Sequence, residues 1–85
     1  MHVDERIYPM CLAVPAKVIT INSDQTALVD VLGVERLVAI ELVPKVVVDD
    51  YVLVHAGFAI EIISEEAAEE TLAFFREFPE LAEGL

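Results

Sequence analysis

Positive charge is what this chain has least of. Five Lys and Arg stand against 16 Asp and Glu, a formal charge of -11 with a pI near 4.2, and such a surface repels a phosphate backbone. Tryptophan is absent, and two Tyr and four Phe are few for the stacking platform that a single-strand-binding groove needs. Nucleic acid is therefore not an expected partner. A single cysteine excludes an internal disulfide, and one thiol without a His/Cys cluster cannot close a four-ligand zinc site. No apolar run approaches the roughly 18 residues of a membrane span. Asp4 and Glu5 stand where a secretory leader would carry its basic region, so the expected location is cytoplasmic, without a membrane.

What remains is strongly apolar. Hydrophobic residues make up 56% of 85 positions, with a mean hydropathy of +0.60. A single domain of this size buries roughly 60% of the surface its unfolded chain exposes. The apolar excess must then be core, or a surface for another protein.

Read in order, residues 1–9 show no periodicity and form an N-terminal extension. Residues 11–21 favour β structure, but Pro15 cannot donate to a ladder and should mark an edge or a bulge. Asn22-Ser23-Asp24-Gln25 is turn chemistry, and residues 26–31 return as the second strand of a hairpin. Leu32-Gly33 is the next turn, residues 34–42 a third strand, and residues 43–50 a looped stretch with room for a short strand. From Tyr51 onward, alternation places Tyr51, Leu53 and His55 on one face and Val52, Val54 and Ala56 on the other. Gly57 permits a bulge or sharp bend before a strand at 58–63. Ser64 is a candidate N-cap, Glu65 and Glu66 suit the first turn of a helix, and Ala68, Leu72 and Phe75 form its apolar stripe. Pro79 ends the helix. The expected architecture is mainly β: a small OB-type barrel of about five strands over residues 10–63, a C-terminal helix at 64–78 and a tail at 79–85. A two-layer sheet carrying a helix is the alternative.

Two stretches could carry chemistry. Met10-Cys11-Leu12-Ala13-Val14-Pro15-Ala16-Lys17-Val18 holds the only thiol, and Asp50-Tyr51-Val52-Leu53-Val54-His55-Ala56-Gly57-Phe58-Ala59-Ile60 holds one of two histidines. Cys11 is either a buried small hydrophobe or, as thiolate, a soft ligand for a low-spin iron or similar metal fragment. His55 is either a structural group in an apolar strand or a neutral imidazole able to ligate metal or bond to a thiolate. Gly57 serves backbone geometry, Pro15 shapes its loop, and Phe58 is expected to fill the barrel. The run Phe74, Phe75, Phe78 is broader than one barrel-facing stripe requires, which leaves part of the helix for docking. His2 has no evident partner.

These two stretches resemble the signatures of the HypC/HupF family of hydrogenase-maturation chaperones: Met-Cys, a short apolar step, Pro, one residue, Lys-Val, and later Asp-Tyr-Val-Leu-Val-His-x-Gly-Phe-Ala. The resemblance runs from Met10 to about the end of the helix. It implies an OB-like barrel and a non-enzymatic role in assembling nickel-iron hydrogenases. The implied partners are the HypD scaffold and the precursor of the hydrogenase large subunit. It also implies that Cys11 binds partners and ligates an Fe(CN)2CO fragment carried as transient cargo, that His55 supports that iron or a partner contact, and that Pro15 and Gly57 shape the motifs. No permanent cofactor is implied. Two departures stand out. Family members usually begin at the Met of Met-Cys, whereas nine residues precede Met10 here, and Asp49 stands where the family often has glycine. The competing readings are a small OB-type binding module for another ligand, without metal cargo, and a thiol enzyme, which would need a base beside Cys11.

Overall fold

The computed structural model describes residues 13–78. Alternation of apolar and polar residues builds its strands. In β2 (Thr26–Val31) the side chains of Ala27, Val29 and Val31 are buried while Thr26, Leu28 and Asp30 are half-buried. In β4 (Tyr51–His55) Val52 and Val54 point inward and Tyr51, Leu53 and His55 outward, the two faces that the sequence alternation separates. With β1 (Val14–Ile21), β3 (Val34–Ala39) and β5 (Phe58–Ile63), they close into one barrel in the order β1-β2-β3-β5-β4. This is the OB-type barrel expected, and the two-layer alternative is set aside. Valine dominates the interior: Val14, Val18, Val29, Val52 and Val54 are each at most 1% exposed. These β-branched side chains suit strands and fill a narrow barrel.

Pro15 pairs with Leu53 of β4, and β2 reaches β1 only from Lys17 onward. Pro15 therefore has a strand on one side alone, the edge position expected of a residue that cannot donate. The bulge in β1 lies further on, between Val18 and Thr20. Barrel closure is slight. β3 and β5 run parallel and share a single pair, Ala39 with Phe58, secured by the Ala39 N–H donating to the Gly57 carbonyl at 2.9 Å.

Two expectations need correcting here. The third strand ends at Ala39 rather than at residue 42, and residues 43–50 contain no strand. Instead the chain turns repeatedly: Val43 N–H donates to the Ile40 carbonyl, Val46 to Val43 and Asp50 to Val47, each at 3.0 Å. Pro44 occupies the second position of one such turn, where its fixed φ fits. This spacing of three brings Ile40, Val43 and Val46 inward, all buried, so the segment is part of the core without being part of the sheet.

Helix α1 (Glu65–Glu77) begins where Ser64 accepts a hydrogen bond from the Ala67 N–H at 3.1 Å, with Glu65 and Glu66 in the first turn. Those two carboxylates face the positive end of the helix dipole. Ala68, Leu72 and Phe75 are its buried residues, and Phe75 joins the barrel core at 1% exposure. The helix packs on β1 and β4. Phe74 and Phe78 stay exposed, their ring centroids 5.1 Å apart.

Candidate functional site

One end of the barrel gathers most of the candidate residues. The antiparallel register sets Val14 opposite Val54 and Pro15 opposite Leu53, so the chain enters β1 beside the end of β4, where His55 stands. His55 is half-buried on the outer face. It is neither a core histidine nor a freely solvated one.

The local sequence explains its placement. Ala56 and Gly57 both have positive φ, 54° and 86°, the signature of the tight two-residue hairpin turn whose twist matches its strands. Such a turn pairs the residues flanking it, and His55 pairs with Phe58. Phe58 therefore shares the outward face of His55 and is 42% exposed. The expectation that it fills the barrel is overturned. Gly57 has the geometric role expected of it, and its carbonyl also closes the barrel onto Ala39. The structure thus brings Pro15, His55, Gly57 and Phe58 to one end. Cys11 lies outside the described residues.

A second feature lies on the flank. A groove of about 460 Å³ opens between α1 and the barrel, with Leu32, Leu72 and Phe75 as apolar lining and Lys17, Asp30, Tyr51, Glu69 and Arg76 around them. The Tyr51 hydroxyl lies 3.5 Å from Glu69 Oε2, and Arg76 reaches the other oxygen of Glu69 at 3.8 Å. Burial raises the Tyr51 pKa, and the negative charge of Glu69 raises it further, while Lys17 acts in the opposite direction. Tyr51 and His55 stand four residues apart on one strand, about 13 Å, so groove and histidine are separate features. Lys17, as part of the first motif, and Glu69, as an acidic residue of the early helix, are visible in the sequence but carry no site role there, and Arg76 was not singled out. The available signal was Glu69 and Arg76 falling two helical turns apart on one face.

Among the described residues no three His, Cys, Asp or Glu side chains group to hold a metal, and no helix is long and apolar enough to cross a membrane. Fold and site together define a small valine-cored barrel with a flanking helix and a His-Ala-Gly-Phe turn at one end. The chain belongs to the HupF/HypC family, which matches residues 10–75 and so includes Cys11 as well as the barrel and most of the helix. It is 46% identical to the hydrogenase maturation factor HypC of Cupriavidus necator over 68 residues, covering 80% of this chain and 76% of that protein. It is 48% identical over 68 residues to HypC of Synechocystis, covering 74% and 90%. With the hydrogenase maturation factor HybG of Escherichia coli it shares 40% identity over 74 residues, covering 80% and 90%.

Proposed function

We propose that this chain is a hydrogenase-maturation chaperone without enzymatic activity of its own. It joins the HypD scaffold, handles the Fe(CN)2CO fragment as cargo and delivers that fragment to the precursor of the nickel-iron hydrogenase large subunit. Cys11 as thiolate is the soft ligand or partner contact, and His55 supports it. The observation that carries this reading is the family match over residues 10–75, joined by relatives named as hydrogenase maturation factors over most of their length.

The geometry is compatible with the division of labour. Cys11 precedes Val14 by three residues, a link that spans at most about 11 Å, and Val14 lies opposite Val54, next to His55. Thiolate sulfur suits low-spin iron, and a neutral imidazole adds a second ligand or a hydrogen bond.

The test is anaerobic affinity purification from a host that carries the maturation machinery, comparing wild type with Cys11→Ala. Wild type is expected to bring down the scaffold, iron and the infrared bands of bound cyanide and carbon monoxide, and a folded Cys11→Ala to lose them. Retention of all three by the folded variant, or their absence from wild type, overturns the reading.

A further inference from the structure

We propose that the edge of β3 turned away from β2, which among the described residues pairs only at Ala39, is a docking edge that takes up an extended segment of a partner polypeptide as an additional antiparallel strand. The proposal stands apart from the iron chemistry. It rests on how the barrel closes.

β3 is paired along its whole length with β2, from Thr26 opposite Ala39 to Val31 opposite Val34, yet meets β5 at Ala39 alone. Backbone directions follow from two bonds. Ala39 donates outward to Gly57, and Ile40 donates to the Gln25 carbonyl at the β2 side. In an antiparallel strand the N–H and C=O of one residue point the same way, and the direction alternates residue by residue. Glu35 and Leu37 therefore point both groups away from β2, as Ala39 does. Two donors and two acceptors stand in a row along the edge.

The side chains match. Val34, Glu35, Arg36 and Leu37 are all exposed, Val34 at 51% and Leu37 at 61%. The edge is short and carries Glu35 and Arg36, which guard it against indiscriminate pairing. Val34, Leu37 and the outward backbone groups suit strand addition by a segment of complementary charge. Glu35 sits directly opposite Asp30, at a position where β2 and β3 make no mutual backbone bonds and side chains lie closest. Like charges so placed destabilise the pair. A basic residue on an added strand, opposite Glu35, would relieve that repulsion. The recognised segment is thereby specified: apolar opposite Leu37, acidic opposite Arg36, basic opposite Glu35 and apolar opposite Val34. A second copy of this chain is a poor occupant, because each copy carries a charge of -11.

The probe is a short blocked peptide with the central run Val-Glu-Lys-Ile flanked by threonines, titrated into isotope-labelled full-length chain. Expected are saturable shifts and slowed hydrogen exchange at the Glu35 and Leu37 amides. Leu37→Pro removes an outward N–H without touching the β2 ladder, so the barrel should persist and binding should fall about tenfold or more. Glu35→Lys should weaken this peptide and restore binding when the peptide lysine becomes glutamate. This charge swap decides the matter if Leu37→Pro does not fold. The proposal is overturned by the absence of binding at millimolar peptide, by shifts that map to another face, or by unchanged affinity in the folded Leu37→Pro protein. Concentration-dependent dimerisation that protects the same two amides would also overturn it, by assigning the edge to a second copy.

Discussion

Tyr51 shows how one residue reads the packing around it. It ends the outward row of β4 nearest the helix, half-buried, with Glu69 beside its hydroxyl. Burial and then the Glu69 charge favour the neutral phenol, so its pKa lies above the ordinary value of about 10. A raised folded value means that the associated stability is intact below pH 10 and is lost as pH climbs through the folded pKa. In a Tyr8→Phe background, phenolate absorbance should therefore titrate above free tyrosine. Glu69→Gln should bring the midpoint down only part of the way, since burial is the larger cause and remains; a midpoint that does not move would show that Glu69 is uncoupled from the ring. That Tyr51 and His55 share a face was legible from simple alternation, whereas which face points outward was not, because both faces of β4 are apolar in sequence. Phe58 was misread because its face depends on the turn before it. Two intervening residues, rather than three, set it beside His55. Cys11 was legible from its motif alone, as the one thiol of the chain beside Met10 and upstream of Pro15.

At the scale of elements, the turns carry the information that strand patterns lack. Asp49 stands where glycine is common in the family, and its φ is 80°, a conformation that suits glycine and strains other residues. The backbone keeps the glycine-like shape although the side chain has changed. Gly57, at φ 86°, is the reciprocal case, because a methyl group there would meet nothing within 4 Å. Any cost of adding one is backbone strain alone. Asp49→Gly should therefore stabilise the protein by up to about 1 kcal/mol, the lost contact to Lys17 at 3.9 Å between exposed groups being worth little. Gly57→Ala should destabilise it by about 1–2 kcal/mol. Urea midpoints at constant slope would check both signs. The hairpin at 14–31, the alternation of β4 and the capped helix were readable because each has a short-range cause. Residues 40–50 were not. Their valines imitate a strand, while the inward set Ile40, Val43 and Val46 recurs every three residues and satisfies its backbone in local turns.

For the molecule as a whole, size and charge pull against the valine core. A domain of 85 residues has a stability of about 4–13 kcal/mol by general scaling, and its excess of 11 negative charges works against compactness. The barrel and helix cannot be separate units under these terms, because Phe75 of α1 is the largest fully buried side chain among the described residues and belongs to the barrel core. Phe75→Ala should cost about 3–5 kcal/mol, and far-UV and near-UV signals should melt together in both proteins, with the variant lower. Repulsion between surface carboxylates is screened over about 10 Å at 0.1 M salt, so raising salt at neutral pH should raise the melting temperature of wild type. The core defect is not electrostatic, hence the gap between wild type and Phe75→Ala should stay nearly constant across the salt series. A gap that closes with salt would mean that Phe75 acts by holding the acidic helix against the acidic barrel rather than by filling space. Separate transitions for the two signals would mean that the barrel stands without its helix.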